Sequence, residues 1–194
     1  MNQPIRILGI AGSLRRKSYN RAALRAAQQL APEDAVIDIF ELDDIPVFSE
    51  DDVCHPPVKI VELKKRIREA DAILFVTPEY NYSIPGGLKN AIDWASRPYG
   101  DNAWNGKPVA VMGASLGTLG TARAQYHLRQ VFVFLNMLAI NQPEVMIANA
   151  GQNFDAEGNL TNETTKNHIR QLLANLVGWT RGLQKAKESD VQGK

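Results

Sequence analysis

The sequence predicts an α/β fold in which a parallel sheet carries helices on both faces. Five short apolar runs, of which Ile5–Ile10 is the first, alternate along the chain with five segments of helical periodicity. Short, continuously apolar runs are typical of strands buried on both faces, and strand–helix alternation is typical of parallel sheets. A chain of 194 residues is long enough for one domain with a substantial core.

Each element follows from its own pattern. Residues 35–40 form the second predicted strand, and residues 58–70 place Ile60, Leu63 and Ile67 at helical spacing. Right-handed crossovers arrange five such strands in the flavodoxin-like order 2-1-3-4-5. We expect a single domain over residues 1–187 and a disordered polar tail over 188–194. The other predicted elements are strands at 72–77, 108–113 and about 143–148, and helices at about 20–30, 87–97, 121–138 and 163–186.

Composition and charge exclude several classes of function. A net charge of +1 argues against a nucleic-acid-binding protein and against an acidic electron carrier. The single cysteine, Cys54, excludes an internal disulfide and any multi-cysteine metal site. No apolar run approaches the roughly 20 residues that span a bilayer, and the N-terminus shows no signal-peptide pattern. We therefore expect a cytoplasmic protein without a membrane span.

The loop after the first strand is predicted to bind a phosphate. In this fold, ligands bind at the carboxyl ends of the strands, where the loops after strands one, three and four meet. The segment Gly12–Asn20 lacks the glycine spacing of a dinucleotide-binding or Walker loop. It offers the side chains of Ser13, Ser18 and Asn20 as donors and the charge of Arg15, beside a helix N-terminus. The alternative is that Ser18 or Asn20 only caps the helix.

The loop after the third strand, within Thr77–Trp94, is aromatic and rich in amides. Pro78 ends the strand, because it fixes its own φ and pushes the preceding residue toward an extended conformation. Glu79, Tyr80 and Asn81 then expose backbone N–H groups to which a flat heterocycle could bind. Taken alone, the segment is equally consistent with an ordinary strand–loop–helix connection.

The loop after the fourth strand supports two interpretations. Its small residues allow the backbone to approach a planar ligand closely. The segment around Ser115 also spells Gly-x-Ser-x-Gly, the nucleophile elbow of serine hydrolases, with Asp155 and His168 following in the order of a catalytic triad. Against a hydrolase, the chain has no upstream His-Gly-Gly segment and is short for that fold. A hydrolase would also leave the loop around Ser18 without a role.

Taken together, the segments Gly12–Asn20, Thr77–Trp94 and Ser115–Gln130 resemble the NAD(P)H-dependent FMN reductase family of the flavodoxin-like superfamily, and in particular its branch of small quinone and chromate reductases. The resemblance implies that the first segment holds the FMN phosphate and that the other two surround the isoalloxazine ring. Tyr19 stands where phenylalanine is common in the family. The residues expected to bind the cofactor are Ser13, Arg15, Ser18, Tyr19, Asn20, Pro78, Glu79, Tyr80, Asn81, Ser115 and Gly117.

The resemblance also implies an activity and an assembly. NADPH or NADH would pass hydride to bound FMN in a ping-pong cycle, and a quinone, chromate, an azo compound or free flavin would then take the electrons. No side chain is expected to act as a catalytic base, since the cofactor carries the chemistry. A homodimer or homotetramer is expected, with Arg123, Tyr126 and Glu144 between subunits. A serine hydrolase and a non-enzymatic flavin electron carrier are the alternatives.

Overall fold

A computed structural model describes residues 3–192 and shows one parallel sheet between two layers of helices. The strand order is β2-β1-β3-β4-β5, with β6 also paired to β4, which confirms the predicted fold class. The strands are β1 (Ile5–Ala11), β2 (Ala35–Phe40), β3 (Ala72–Val76), β4 (Pro108–Ala114), β5 (Leu138–Ala139) and β6 (Val145–Ile147). The α-helices are α1 (Tyr19–Gln29), α2 (Val58–Glu69), α3 (Gly86–Ala95), α4 (Ala122–Leu135) and α5 (Glu163–Gln192).

The edge of the sheet beyond β4 differs from the prediction of one strand near 143–148. Two short strands share this position: Leu138 of β5 pairs with Pro108 at the start of β4, and Val145 of β6 pairs with Met112 near its end. Between them lies Pro143, which has no N–H for a sheet ladder. The predicted helix at about 121–138 also extended beyond the end of α4 at Leu135. The helix ends there because Asn136 adopts a left-handed conformation (φ 55°).

The C-terminal helix is longer than expected. It continues through Gln192, so residues 188–192, which we expected to be disordered, are helical. The segment Lys185–Gln192 contains several good helix formers and neither Gly nor Pro, which favours continuation of the helix. The last two residues of the expected tail, 193 and 194, lie outside the described part of the chain.

The core has two halves because successive side chains of a strand point to opposite faces of the sheet. Leu74 of β3 packs in the half covered by α1 and α5. Its neighbours Ile73 and Phe75 pack in the half covered by α2, α3 and α4. Phe75 contacts the buried ring of Trp104, with ring centroids 5.6 Å apart. Burial on both faces explains why the central strands are continuously apolar in sequence.

Register in the sheet brings the candidate loops together. Ala11 at the end of β1 lies opposite Val76 at the end of β3, and Val76 lies opposite Met112 of β4. The loops that leave these three strands therefore begin side by side. Between residues 3 and 192, no helix is long and apolar enough to cross a membrane.

Candidate functional site

The loop between β1 and α1 presents two buried serines at the start of a helix. The Oγ of Ser18 accepts a hydrogen bond from the N–H of Asn20 (3.1 Å), so Ser18 is the N-cap, as the alternative interpretation held. The Oγ of Ser13 accepts from the N–H of Arg15 (3.4 Å). In the described hydrogen bonds both hydroxyls act only as acceptors, which leaves both protons free to donate. Capping the helix and binding an anion are therefore compatible roles for Ser18.

Further donors surround these hydroxyls. Within residues 3–192, the backbone N–H groups of Arg16, Lys17 and Tyr19 donate to no protein acceptor. They lie at the N-terminus of α1, whose dipole favours an anion. The guanidinium of Arg15 is exposed and lies 6.0 Å from the ring centroid of Tyr19. The tyrosine ring in turn packs against Phe154. This donor set fits a phosphate group.

The Asn20 side chain connects the first loop to the end of β4. Its side chain is buried (2% exposed) and reaches the end of β4, where Nδ2 donates to the carbonyl of Ala114 (2.9 Å) and Oδ1 accepts from the Ala114 N–H (2.8 Å). Only the second Nδ2 hydrogen remains for a ligand. The described contacts of Asn20 therefore join the first loop to the fourth-strand loop, and its predicted contact with the phosphate stays a prediction.

Arg21 is a site residue that sequence reasoning missed. Its guanidinium donates to the carbonyl of Leu14 in the first loop (3.4 Å) and pairs with the carboxylates of Glu41 and Asp43 (3.3 Å for Asp43), which follow β2. The guanidinium is largely buried. Arg21 thus fixes the first loop against the segment that leaves β2. Because its partners lie about 20 residues away along the chain, no local motif could indicate the contact.

The loop after β3 closes into a tight turn. The N–H of Tyr80 donates to the carbonyl of Ser83 (2.9 Å), and the N–H of Ser83 donates back to Tyr80 (3.0 Å). Asn81 and Tyr82 at the centre both have positive φ (51° and 66°), as a type I′ turn requires. For residues with a side chain this backbone costs about 1–2 kcal/mol each.

The turn leaves some backbone donors free and uses one that we expected to be free. The N–H groups of Glu79, Asn81 and Tyr82 have no acceptor among the described residues, whereas the N–H of Tyr80 is used inside the turn. The side chain of Tyr80 is half exposed. Pro78, which precedes this segment, is buried against the first loop: a Cβ on Gly12 would meet Pro78 at 3.3 Å and Leu88 at 3.1 Å. The first and second loops are therefore in direct contact.

The Glu79 carboxylate binds the start of α4. It accepts hydrogen bonds from the N–H groups of Arg123 (3.0 Å) and Ala124 (3.3 Å) and from Nε of Arg123 (2.7 Å). Thr121, at the N-cap position, makes no side-chain cap bond, so Glu79 supplies the cap from outside the helix. We expected Glu79 beside the flavin ring and Arg123 between subunits; in the chain the two residues bind each other.

The loop after β4 is held by a segment that the sequence did not indicate. Backbone hydrogen bonds join Ser115 to Ile147 (3.0 Å) and to Ala150 (2.9 Å), and Gly117 to Asn149 (3.1 Å). The Oγ of Ser115 accepts from the Gly117 N–H (3.1 Å). The end of β6 and the residues that follow it therefore hold this loop in place.

A catalytic triad around Ser115 is not formed. The Asp155 carboxylate is bound to Asn159 through its side-chain amide (2.9 Å) and its backbone N–H (2.7 Å), and these hydrogen bonds lower the pKa of Asp155. His168 lies on the exposed side of α5. No hydrogen bond joins Ser115 to either residue in the part of the chain that the structure describes. Among all the residues that the structure describes, no group of His, Cys, Asp or Glu is arranged to hold a metal ion.

The three loops lie next to one another at one edge of the sheet. Tyr19 and Leu116 both approach Gly151, since a Cβ there would lie 3.7 Å from the tyrosine hydroxyl and from the leucine Cδ2. The first loop supplies charge and hydroxyl donors, while the other two supply free backbone N–H groups and exposed apolar side chains. The chemistry of these residues fits the phosphate and the flat ring of FMN.

Comparison with known proteins agrees with this assignment. The family model described as NADPH-dependent FMN reductase matches residues 5–152. An NAD(P)H-dependent FMN reductase of Pseudomonas aeruginosa is 50% identical over 95% of this chain and 100% of its own length. A 2-hydroxy-1,4-benzoquinone reductase of Burkholderia sp. is 42% identical over 91% of this chain and 97% of its own length.

A solved structure agrees as well. The flavoenzyme NAD(P)H:(acceptor) oxidoreductase FerB from Paracoccus denitrificans superimposes with a TM-score of 0.85 at 36% identity, covering 92% of this chain and 98% of FerB. The family match extends over all three loops of the site. The chain therefore belongs to the NADPH-dependent FMN reductase family and is an FMN-dependent oxidoreductase that uses NAD(P)H.

Proposed function

We propose that this enzyme reduces quinones with electrons from NADPH or NADH and that its FMN is held by the three loops described above. The observation that carries the proposal is the set of unused donors at the two ends of the site, which match a phosphate and a flat heterocycle. Relatives named as quinone reductases, including one from Pseudomonas putida that is 42% identical over 93% of this chain, support a quinone as acceptor.

In this proposal each loop has a separate task. Ser13, Ser18 and the Tyr19 N–H bind the phosphate, and the charge of Arg15 neutralises it. The free N–H groups of the second loop bind polar atoms on one edge of the ring. Residues involved in addition are Pro78, Glu79, Tyr80, Asn81, Ser115 and Gly117, which shape the ring end, and Asn20, which joins the loops.

Bound FMN would supply the two-electron chemistry between nicotinamide and acceptor. The chain itself contributes binding and orientation. The half-exposed Tyr80 and the exposed Leu116 offer apolar surface at the ring end, which suits a planar, uncharged molecule. For this reason we rank quinones above chromate, azo compounds and free flavin as acceptors. Steady-state rates for one acceptor of each class test this order, and it fails if chromate has a higher kcat/KM than a benzoquinone.

A pair of serine caps tests the phosphate assignment. Ser18 caps α1, and Ser49 caps a single 3-10 turn at Glu50–Asp52 in the same way, with its Oγ accepting from Asp51 (3.2 Å). Both Ser→Ala changes remove a cap, but only Ser18→Ala removes a phosphate donor. We expect Ser18→Ala to weaken FMN binding at least about tenfold, the effect of one charge-assisted hydrogen bond, and Ser49→Ala to leave it unchanged. Equal FMN affinity in both variants would contradict the assignment.

We also propose a homodimer or homotetramer in the cytoplasm, where NADPH and NADH are available. Its support is the outer face of α4, where Tyr126, Val133 and Phe134 are exposed (52%, 82% and 73%). The Glu144 carboxylate, as a hydrogen-bond acceptor and a nearby negative charge, raises the pKa of the Tyr126 hydroxyl, so these two polar side chains lie close together beside that face. Arg123 is engaged by Glu79 in its own chain. Sedimentation of the native protein and of Val133→Glu tests the assembly. A charge in a buried interface should dissociate the assembly into monomers. A native protein that is itself monomeric would contradict the proposal.

A further inference from the structure

The turn that carries Asn81 and Tyr82 is attached to α4 at both of its ends. Ahead of the turn, Glu79 binds the first N–H groups of the helix, and behind it the Oγ of Ser83 lies 3.0 Å from Nδ1 of His127. Arg123 and His127 are one helical turn apart on α4. The first part of this helix is therefore the support on which the ring-binding turn rests.

Arg123 links the two sides of this support. Its Nε donates to Glu79 at 2.7 Å, and its guanidinium carbon lies 3.7 Å from the centroid of the Tyr82 ring. A guanidinium over an aromatic face is attracted by the ring, and the attraction strengthens as water is removed. The Glu79 side chain is only 9% exposed, whereas that of Arg123 is 40% exposed, so the carboxylate side of the pair is shielded from water. Glu79, Arg123 and Tyr82 thus form one contiguous contact, here called the turn clamp.

The turn needs such a clamp because its own residues do not favour its conformation. Asn81 and Tyr82 both have left-handed backbone angles, and neither is glycine. A backbone of this kind persists only where surrounding contacts determine it, and it is often found at functional sites. The N–H groups of Asn81 and Tyr82 have no acceptor among the described residues, and the direction in which they point depends on the turn keeping this conformation.

We propose, on the basis of the FMN site proposed above, that Glu79 and Arg123 are positioning residues that hold the turn so that its free N–H groups face the flavin ring. Glu79 acts through Arg123 and Tyr82 rather than by touching the ring with its carboxylate. Arg123 acts through its contacts with Glu79 and Tyr82 in its own chain. The proposal assigns the enzyme's ring-end geometry to a contact between two segments that lie 44 residues apart in the sequence.

A double-mutant cycle on the holoenzyme tests the clamp. Arg123→Met removes the charge and keeps the aliphatic length; Glu79→Gln keeps an acceptor for the helix N–H groups and removes the ion pair. We expect each to weaken FMN binding about tenfold and to alter the visible circular dichroism of bound FMN. We expect the double variant to bind FMN with no lower affinity than the single variant that binds it less tightly, because the residues act as one unit. At saturating FMN, KM for a benzoquinone should rise.

Conservative variants separate positioning from general stability. Tyr82→Phe keeps the ring under Arg123 and should restore most of the FMN affinity that Tyr82→Leu loses. Glu69→Gln, which breaks an exposed pair with Lys65 (3.8 Å), is the control for loss of one carboxylate and should leave FMN affinity and KM unchanged.

Three results would overturn the proposal. Lower thermal stability with unchanged FMN affinity, circular dichroism and KM would make the cluster merely structural. Additive effects in the double variant would show that the residues act separately. Loss of activity that follows dissociation in sedimentation runs would return Arg123 to a role between subunits.

Discussion

The contact between Asn20 and Ala114 allows the effect of a substitution on the free energy of unfolding to be predicted with a magnitude. Asn20 is 2% exposed, and its two hydrogen bonds, 2.9 and 2.8 Å long, satisfy both the carbonyl and the N–H of Ala114. Asn20→Ala leaves these two buried backbone groups without partners. Each costs about 1–3 kcal/mol, so the free energy of unfolding should fall by about 2–6 kcal/mol. Urea titration of the protein without added FMN measures the change.

A second asparagine provides the matched control. Asn175 also makes two side-chain hydrogen bonds, to the carbonyl of Gln142 (3.0 Å) and to the amide of Gln171 (2.7 Å), but it lies at the surface. Water replaces these partners when the side chain is removed, so Asn175→Ala should change the unfolding free energy by no more than about 0.5 kcal/mol. Equal effects of the two substitutions would refute the argument that burial sets the cost.

The variant Asn20→Asp adds a test of the contact between residue 20 and the Ala114 carbonyl. One carboxylate oxygen can still accept from the Ala114 N–H, but the other faces the Ala114 carbonyl and repels it. Only the protonated form can donate there, so folding raises the pKa of the introduced carboxyl. Its stability deficit relative to the natural protein should therefore grow as the pH rises from about 5 to 7.5. A deficit that is constant or shrinks over this range would mean that the introduced carboxyl does not face the Ala114 carbonyl.

Two further substitutions test other close contacts. A Cβ at Gly113 would lie 2.2 Å from the backbone carbonyl of Thr77, so Gly113→Ala should lower the unfolding free energy by about 1–3 kcal/mol. The control is Gly182→Ala, which should not lower it, because the space around Gly182 is open. Equal urea midpoints for the two variants would contradict this prediction. A hydrogen bond from Lys64 and the charge of that lysine lower the pKa of Asp101, so this carboxylate stabilises the fold at neutral pH and loses its effect as the pH falls below about 3.8. Acid unfolding curves of Asp101→Asn should lie closer to those of the natural protein at pH 2 than at pH 6, and a constant separation would contradict the assignment.

The fold was largely predictable because its signals are local. The strand Ala35–Phe40 and the start of α2 at Val58 were predicted to the residue, since strand-like and helical periodicity depend on neighbours along the chain. The edge strands were less predictable. Leu138–Ala139 is too short to produce a pattern, and it becomes a strand only because β4 provides an adjacent ladder.

The sequence could identify the three loops that we propose as the site, but it could not predict the contacts that their side chains make. The capping role of Ser18 is readable because it involves a neighbour two residues away. The partner of Asn20 is 94 residues away and that of Glu79 is 44 residues away, so no pattern in the sequence could distinguish a ligand-binding side chain from one that binds the protein itself. Both side chains lie in the expected loops and bind backbone groups that the fold brings to them.

The most direct test of the whole account is the visible absorption spectrum of the purified protein with FMN, recorded before and after NADPH is added without oxygen. We expect flavin bands that stay with the protein through gel filtration and bleach when NADPH is added. A protein that remains colourless after incubation with FMN, or whose bound flavin is unaffected by NADPH, would contradict the assignment of the three loops as the cofactor site of a reductase.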